Sequence, residues 1–145
     1  MAKVFSTKTH GVLDYLTVGQ LLAMPRMLGW NKGPTQWLTG MALGTLANSV
    51  VTRYEYGPLK LLPVRGHLAI DFMQGLLFCA FPLLFPKEST GVKATVVGLG
   101  LFELFASLST ETEPSYGEQV SQYTDQITDT LQDATDGLRA HEIGA

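Results

Sequence analysis

The sequence contains a single cysteine, Cys79, in 145 residues. One thiol excludes a disulfide framework, a C-x-x-C redox pair and a zinc finger built on paired cysteines. Its place inside an apolar run marks it as a small buried hydrophobe. Enzyme fingerprints are missing as well. There is no G-x-S-x-G, P-loop, H-E-x-x-H or dinucleotide-binding motif, and G-L-G at 98–100 reads as helix packing. Ser49 and Ser107 have no base nearby in the pattern, so no catalytic residue is expected. Basic stripes interleaved with aromatics, the mark of nucleic-acid binding, are also absent.

Charge is scarce where apolar residues are dense. The first 108 residues carry nine Lys/Arg and five acids, whereas from Ser109 onward eight acids face only Arg139. The chain is a basic, apolar body with an acidic tail. Residues 33–52 hold no charged side chain, and twenty residues at 1.5 Å rise reach across a hydrocarbon core of roughly 30 Å. Residues 72–86 are also charge-free and become a span if the helix begins near Arg65. Residues 9–29 carry His10 and Asp14 near their start, with Gln20 and Arg26 further along. Residues 92–109 are interrupted by Lys93 and Glu103. The links N-K-G-P at 31–34, Y-G-P-L-K-L-L-P at 56–63 and P-K-E-S-T-G at 86–91 are turn-forming, and Pro25 and Pro82 kink or stop the helices before them. A soluble bundle would show a charged face on every helix, and 33–52 and 72–86 have none. Asp14 and Gln20 argue against a cleaved signal peptide. The expectation is an all-α fold: a four-span transmembrane helical bundle, up-down-up-down, over 1–113, then an acidic tail over 114–145.

The body is written twice. His10, Asp14 and Pro25 recur without a gap as His67, Asp71 and Pro82. With one residue inserted, Gly40, Leu43, Ser49 and Thr52 match Gly98, Leu101, Ser107 and Thr110. These are two tandem helical hairpins, 8–55 and 65–113, which enter the membrane in the same direction. The segments S-T-K-T-H-G-V-L-D-Y at 6–15, R-Y-E-Y-G-P-L-K at 53–60 and H-L-A-I-D at 67–71 resemble the SPW-repeat family of small bacterial integral membrane proteins, over residues 5–113. That family is named for a Ser-Pro-Trp triplet ending the first helix of each repeat. Here those positions read Met24-Pro25-Arg26 and Phe81-Pro82-Leu83, so the proline alone is kept. The resemblance implies the same topology in a bacterial inner membrane and no particular activity. Five basic residues flank the side holding the N-terminus and four the other, which favours both termini in the cytoplasm.

Helix geometry stacks His10 on Asp14 and His67 on Asp71. Thr45, Asn48, Ser49 and Thr52 share one face at the end of helix two, as do Glu103, Ser107 and Thr110 at the end of helix four. All four patches therefore fall in one leaflet. In a structural reading they are interhelical glue, with His10 and His67 at the interface, each orienting its own Asp. Small residues at 40 and 44, and at 94 and 98, then let the backbones approach. In a functional reading, ionisable groups at membrane depth form a site. Its candidates are His10, Asp14, Asn48, His67, Asp71 and Glu103. Glu103 breaks the repeat, because Thr45 occupies its place, and it is expected to join the aspartates and histidines in one asymmetric cluster. Such a cluster carries a proton, binds a metal ion, or clamps a haem between two histidines. H-x-x-x-D is not a recognised metal signature, so the spacing alone predicts no metal or cofactor.

In the tail, Val120, Tyr123, Ile127, Leu131, Ala134 and Leu138 trace an amphipathic helix with an acidic opposite face. Its charge disfavours anionic lipid and favours a protein partner, its own bundle or self-association. The leading expectation is a non-enzymatic membrane scaffold or accessory subunit that joins a larger complex through bundle surface and tail. The alternative is a small proton-, ion- or cofactor-handling membrane protein.

Overall fold

Ser6 opens the first helix by accepting a hydrogen bond from the Thr9 amide, and Ser89 does the same for the last through the Val92 amide. The structure, a computed structural model, describes residues 3–113, 126–132 and 135. Its named elements are α1 (Thr7–Met27), α2 (Lys32–Val51), α3 (Val64–Cys79), the single turn α4 (Phe81–Leu84) and α5 (Thr90–Ser109). No strand occurs among the described residues, and the fold is an all-α bundle. The chain falls into two compact units, Met1–Pro114 and Ser115–Ala145. In the second, residues 126–132 are helical, with Ile127 and Leu131 exposed. The other stripe positions expected there lie outside the described residues.

The duplication is visible in the element boundaries. α3 starts 57 residues after α1, and α2 and α5 share both ends at an offset of 58. Pro25 is carried inside the last turn of α1. In the second copy the helix is interrupted at Ala80, so that Pro82 sits in the first turn of α4, where its missing N–H leaves no bond unmade. α1 packs mainly on α2 and α3 on α5, as two hairpins. The hairpins are then cross-tied by backbone. Leading into α1, Val4 donates to Ser109 O at 2.7 Å and Phe5 O accepts from Glu111 at 2.9 Å. The equivalent residues of the second copy repeat this on the first: Leu61 donates to Val51 O at 2.7 Å and Leu62 O accepts from Arg53 at 2.8 Å. Each repeat's entry strand thus seats on the other repeat's exit.

At the far end an apolar core gathers Val18, Leu21, Leu38, Phe78, Phe81 and Val96. Trp37 lies edge-on or tilted to Phe78, Phe81 and Phe85, with ring centroids 5.5–5.9 Å apart. The outer faces are also apolar, with Leu16, Leu43, Met73, Leu77, Leu101 and Phe105 among the exposed side chains. Among the described helices, Thr90–Ser109 alone is long and apolar enough by composition to cross a membrane. α3 has 16 residues, and α1 and α2 carry several polar side chains.

Two packing expectations change. Added Cβ atoms at Gly40, Gly44 and Gly98 would meet nothing within 4 Å, so these glycines do not mediate the helix contact. The close approach is made instead by Gly75 and Gly100, where a Cβ on Gly100 would lie 2.7 Å from Gly75 O and 2.8 Å from Phe78 Cβ. Cys79 is half-buried rather than fully enclosed. Gly100→Ala is therefore expected to destabilise the bundle by ~1–3 kcal/mol through overpacking. Gly44→Ala should stay within about 0.5 kcal/mol. Unfolding of the purified variants, followed by circular dichroism, checks the contrast.

Candidate functional site

Helical spacing stacks each histidine over the aspartate of its own repeat, and the pairing of the two hairpins brings both stacks face to face. His10, Asp14, His67 and Asp71 form one ring with relative exposures of 5%, 7%, 1% and 4%. His10 Nε2 and His67 Nε2 both lie 3.0 Å from Asp71 Oδ2, and His67 Nε2 lies 3.0 Å from Asp14 Oδ2. The contact of His10 with its own Asp14, through Oδ1, is the longest at 3.4 Å. The histidines are thus buried rather than interfacial, and each faces both carboxylates rather than orienting its own. The reason is topological, since the two hairpins pair so that α1 and α3 both turn their His/Asp faces toward the centre of the bundle.

The outer side of the ring is held by hydroxyls and an amide. Thr52 Oγ1 lies 2.9 Å from His67 Nδ1, and Thr110 Oγ1 lies 2.8 Å from His10 Nδ1. These threonines are equivalent in the two repeats, and each serves the histidine of the other repeat. Both hydroxyls also donate to the backbone one turn earlier, Thr52 to Asn48 O at 2.7 Å and Thr110 to Ala106 O at 2.6 Å. A hydroxyl has one hydrogen. With that hydrogen on the carbonyl, each threonine is placed to accept from Nδ1–H, the arrangement that turns Nε2 toward the carboxylates.

The carboxylates are anchored from α2 and the link after it. Asn48 Nδ2 donates to Asp71 Oδ1 at 3.0 Å, while Ser49 Oγ and Tyr54 Oη donate to Asp14 Oδ2, each at 3.2 Å. Burial pushes the Tyr54 phenol above its ordinary value, so it remains a donor. Its ring fits because Gly11 has no Cβ, which would overlap the ring carbons. Two buried acceptor or ring atoms stay without a hydrogen bond here. His67 Nε2 is 3.0 Å from two carboxylate oxygens yet aligned with neither, and Asn48 Oδ1 has no partner.

Glu103 does not join the ring. It lines a cavity of about 60 Å³ beside it, with Oε2 buried and without a hydrogen bond. His10, Leu13, Asp14, Thr17 and Gln20 border this cavity along about 15 Å of α1, at 1.5 Å per residue. The opposite wall is α5. Comparing the repeats shows which side chains leave space between α1 and α5. Between α2 and α3, Gln74 donates to Thr45 Oγ1 at 2.7 Å and Asn48 reaches Asp71, filling the crevice. The equivalent positions between α1 and α5 are Thr17, Glu103 and Ala106. Two shorter side chains, Thr for Gln and Ala for Asn, leave space, and Glu103 faces into it. The volume is far below the several hundred Å³ of a cofactor pocket. Haem between the histidines does not fit either, because their rings meet edge-on with centroids 5.4 Å apart.

The sequence singles out His10, Asp14, Asn48, His67 and Asp71, and the structure brings them together. Tyr54 and Gln74 were not legible, because neither is repeated: their equivalents are Thr112 and Thr17. Comparison with protein-family models, curated proteins and solved structures finds no match, so the resemblance to the SPW-repeat family rests on the quoted segments alone.

Thr52→Val and Thr110→Val each remove the acceptor of a buried Nδ1–H, and each is expected to lower stability by ~1–3 kcal/mol. Thr95→Val, whose exposed hydroxyl only caps Gly91 O, should change little. Denaturant unfolding measures both, and ¹⁵N NMR of the wild-type histidines should find Nδ1 protonated in His10 and His67.

Proposed function

We propose that the chain is a four-span integral membrane protein that takes up and releases a cation, as protons or a metal ion, at its His–Asp ring. The observation that carries the reading is the convergence of four ionisable side chains, two per repeat, beside a cavity bordered by α1 and α5. A buried ionic network is weak support for stability alone, because desolvation offsets much of its attraction. A scaffold has no use for the cavity or for a carboxyl group, Glu103, facing it.

The distribution of polarity supports the membrane. Composition alone admits one span, but α1, α2 and α3 turn their polar residues inward. His10, Asp14, Thr45, Asn48, Ser49, His67, Asp71 and Gln74 are all buried, while Leu16, Leu43, Ile70 and Met73 point out. In α5, 22% of the apolar window is buried, the reverse of a soluble core helix. Polar inside and apolar outside is the arrangement that hydrocarbon favours. The basic residues flanking the helix ends then favour both termini in the cytoplasm, and the resemblance to the SPW-repeat family implies a bacterial inner membrane.

The second reading, a scaffold or accessory subunit, is favoured by the 126–132 helix, where Ile127 and Leu131 are 60% and 63% exposed. One experiment separates the two. Reconstituted in liposomes that contain a pH dye and a metal-sensitive dye, the protein should let protons or a divalent ion equilibrate down an imposed gradient. Ala106→Asn copies Asn48 of the first repeat into the cavity. It is expected to slow exchange about tenfold or more, a barrier rise of ~1.4 kcal/mol, with helicity and elution volume kept. Vesicles as tight as protein-free ones, together with a co-purifying partner lost on deleting 115–145, would establish the scaffold instead.

A further inference from the structure

The threonine hydrogen bonds leave the ring with a charge problem. With the proton on Nδ1, a neutral histidine presents a bare Nε2 lone pair to the carboxylates; His10 Nε2 is in hydrogen-bonding geometry with Asp71 Oδ2 at 3.0 Å, whereas His67 Nε2 has no such partner. Lone pairs and carboxylate oxygens 3.0–3.4 Å apart repel unless positive charge lies among them. Two charges neutralise the two aspartates, and they arrive either as two protons on Nε2 or as one divalent cation.

The geometry distinguishes these. A protonated His67 Nε2 would aim its N–H at one oxygen. Instead His67 Nε2, on a side chain 1% exposed, stands equally near Asp14 Oδ2 and Asp71 Oδ2 and makes an aligned hydrogen bond with neither. The donor atoms of all four residues lie within 4.8 Å of one another. Four ligands at ~2.0–2.1 Å from a tetrahedral centre are separated by roughly 3.3 Å; Asp71 Oδ2 lies 3.0 Å from both Nε2 atoms and Asp14 Oδ2 lies 3.0 Å from His67 Nε2, close to that edge. The surroundings match those that metal-ligating groups require. Each histidine donates its remote N–H to a fixed oxygen, and each carboxylate is itself hydrogen-bonded, by Asn48 on Asp71 and by Ser49 and Tyr54 on Asp14.

We propose that the ring is a tetrahedral N₂O₂ site for one divalent first-row transition ion of the zinc class, bound by Nε2 of His10 and His67 and one oxygen each of Asp14 and Asp71. Two imidazoles and two carboxylates with such an ion are neutral overall, which suits a site enclosed by helices. Calcium and magnesium are excluded by ligand type and number, since they take six or more oxygens. Imidazole ligands suit zinc, copper, iron and nickel, and the four-fold geometry selects zinc among them. The inference rests on the cation-handling reading and names its cation.

The test uses the full chain in mild detergent, stripped with chelator and titrated with Zn²⁺, then with Co²⁺ as a spectroscopic probe. One equivalent of each per chain is expected, with the intense visible absorption of tetrahedral Co²⁺. Asp71→Asn should abolish both while helicity and elution volume persist, and Thr95→Val should retain them. Should Asp71→Asn fail to fold, Thr110→Val is the second probe. By freeing the His10 imidazole it should weaken Zn²⁺ binding about tenfold or more, within the range seen for outer-shell partners. Binding with a weak, six-coordinate Co²⁺ spectrum, or binding indifferent to Asp71, would overturn the site. If no ion binds but vesicles still pass protons, the metal assignment fails and the cation-handling reading stands. If neither occurs, both fail.

Discussion

A threonine hydroxyl has one hydrogen, and the chemistry of the bundle's centre follows from where that hydrogen goes. Thr52 and Thr110 give theirs to a carbonyl one turn back in the helix, so both become acceptors toward histidine. That arrangement favours the proton on Nδ1 and leaves Nε2 facing the ring. Had either threonine been replaced by valine in the sequence, the imidazole could take its other tautomer and satisfy a carboxylate as a simple N–H donor. The need for added positive charge would then disappear. The same contacts also couple the repeats. Each threonine ends the second helix of one hairpin and holds the first histidine of the other, as the backbone pairs at Phe5–Thr110 and Leu62–Thr52 do for the main chain.

Duplication supplies this centre economically. One hairpin offers one histidine, one aspartate and one threonine, a set too small to enclose a cation. Two copies related by a twofold axis double the set and face it inward. The departures from symmetry then add what a symmetric object lacks. Asn48 against Ala106, Gln74 against Thr17 and Thr45 against Glu103 fill one flank and open the other. A closed centre becomes one with a side approach. Tyr54, which has Thr112 as its counterpart, closes over Asp14 from the end of the bundle.

Much of this was readable from the sequence, for reasons that also mark the limit. The offsets of 57 and 58 fixed the hairpins and their ends because duplication copies boundaries along with residues. Spacing of three and four placed Thr45, Asn48, Ser49 and Thr52 on one buried face. What spacing does not reveal is which side chain of the other hairpin each one meets. Hence His10 and His67 were expected near the surface beside their own aspartates, although each also meets the other repeat's aspartate at 3.0 Å, closer for His10 than its own at 3.4 Å. Glu103 was expected within the cluster because it broke the repeat. The break was real, but its consequence is space, created by the short side chains of Ala106 and Thr17, and volume is not written in a linear pattern. The G-x-x-x-G at 40–44 misled for a similar reason. Gly75 and Gly100 make the close contact, and they are separated in sequence by a turn and a loop.

The placement of the ring at one end, with the aromatic core of Trp37, Phe78 and Phe81 at the other, divides the labour between stability and chemistry. In hydrocarbon, apolar side chains gain little by leaving lipid for protein, so helix association depends on close packing and on polar contacts. The aromatic end supplies the packing. On the membrane reading proposed above, the ring end supplies contacts between helices that would have no alternative partner in lipid, which holds the two hairpins in register even though their charges are costly to bury. The proposed exchange of a cation at the ring is thereby compatible with an intact bundle. The backbone ties beside it, at Ser109 and Val51, and the apolar end beyond it do not depend on what the ring contains.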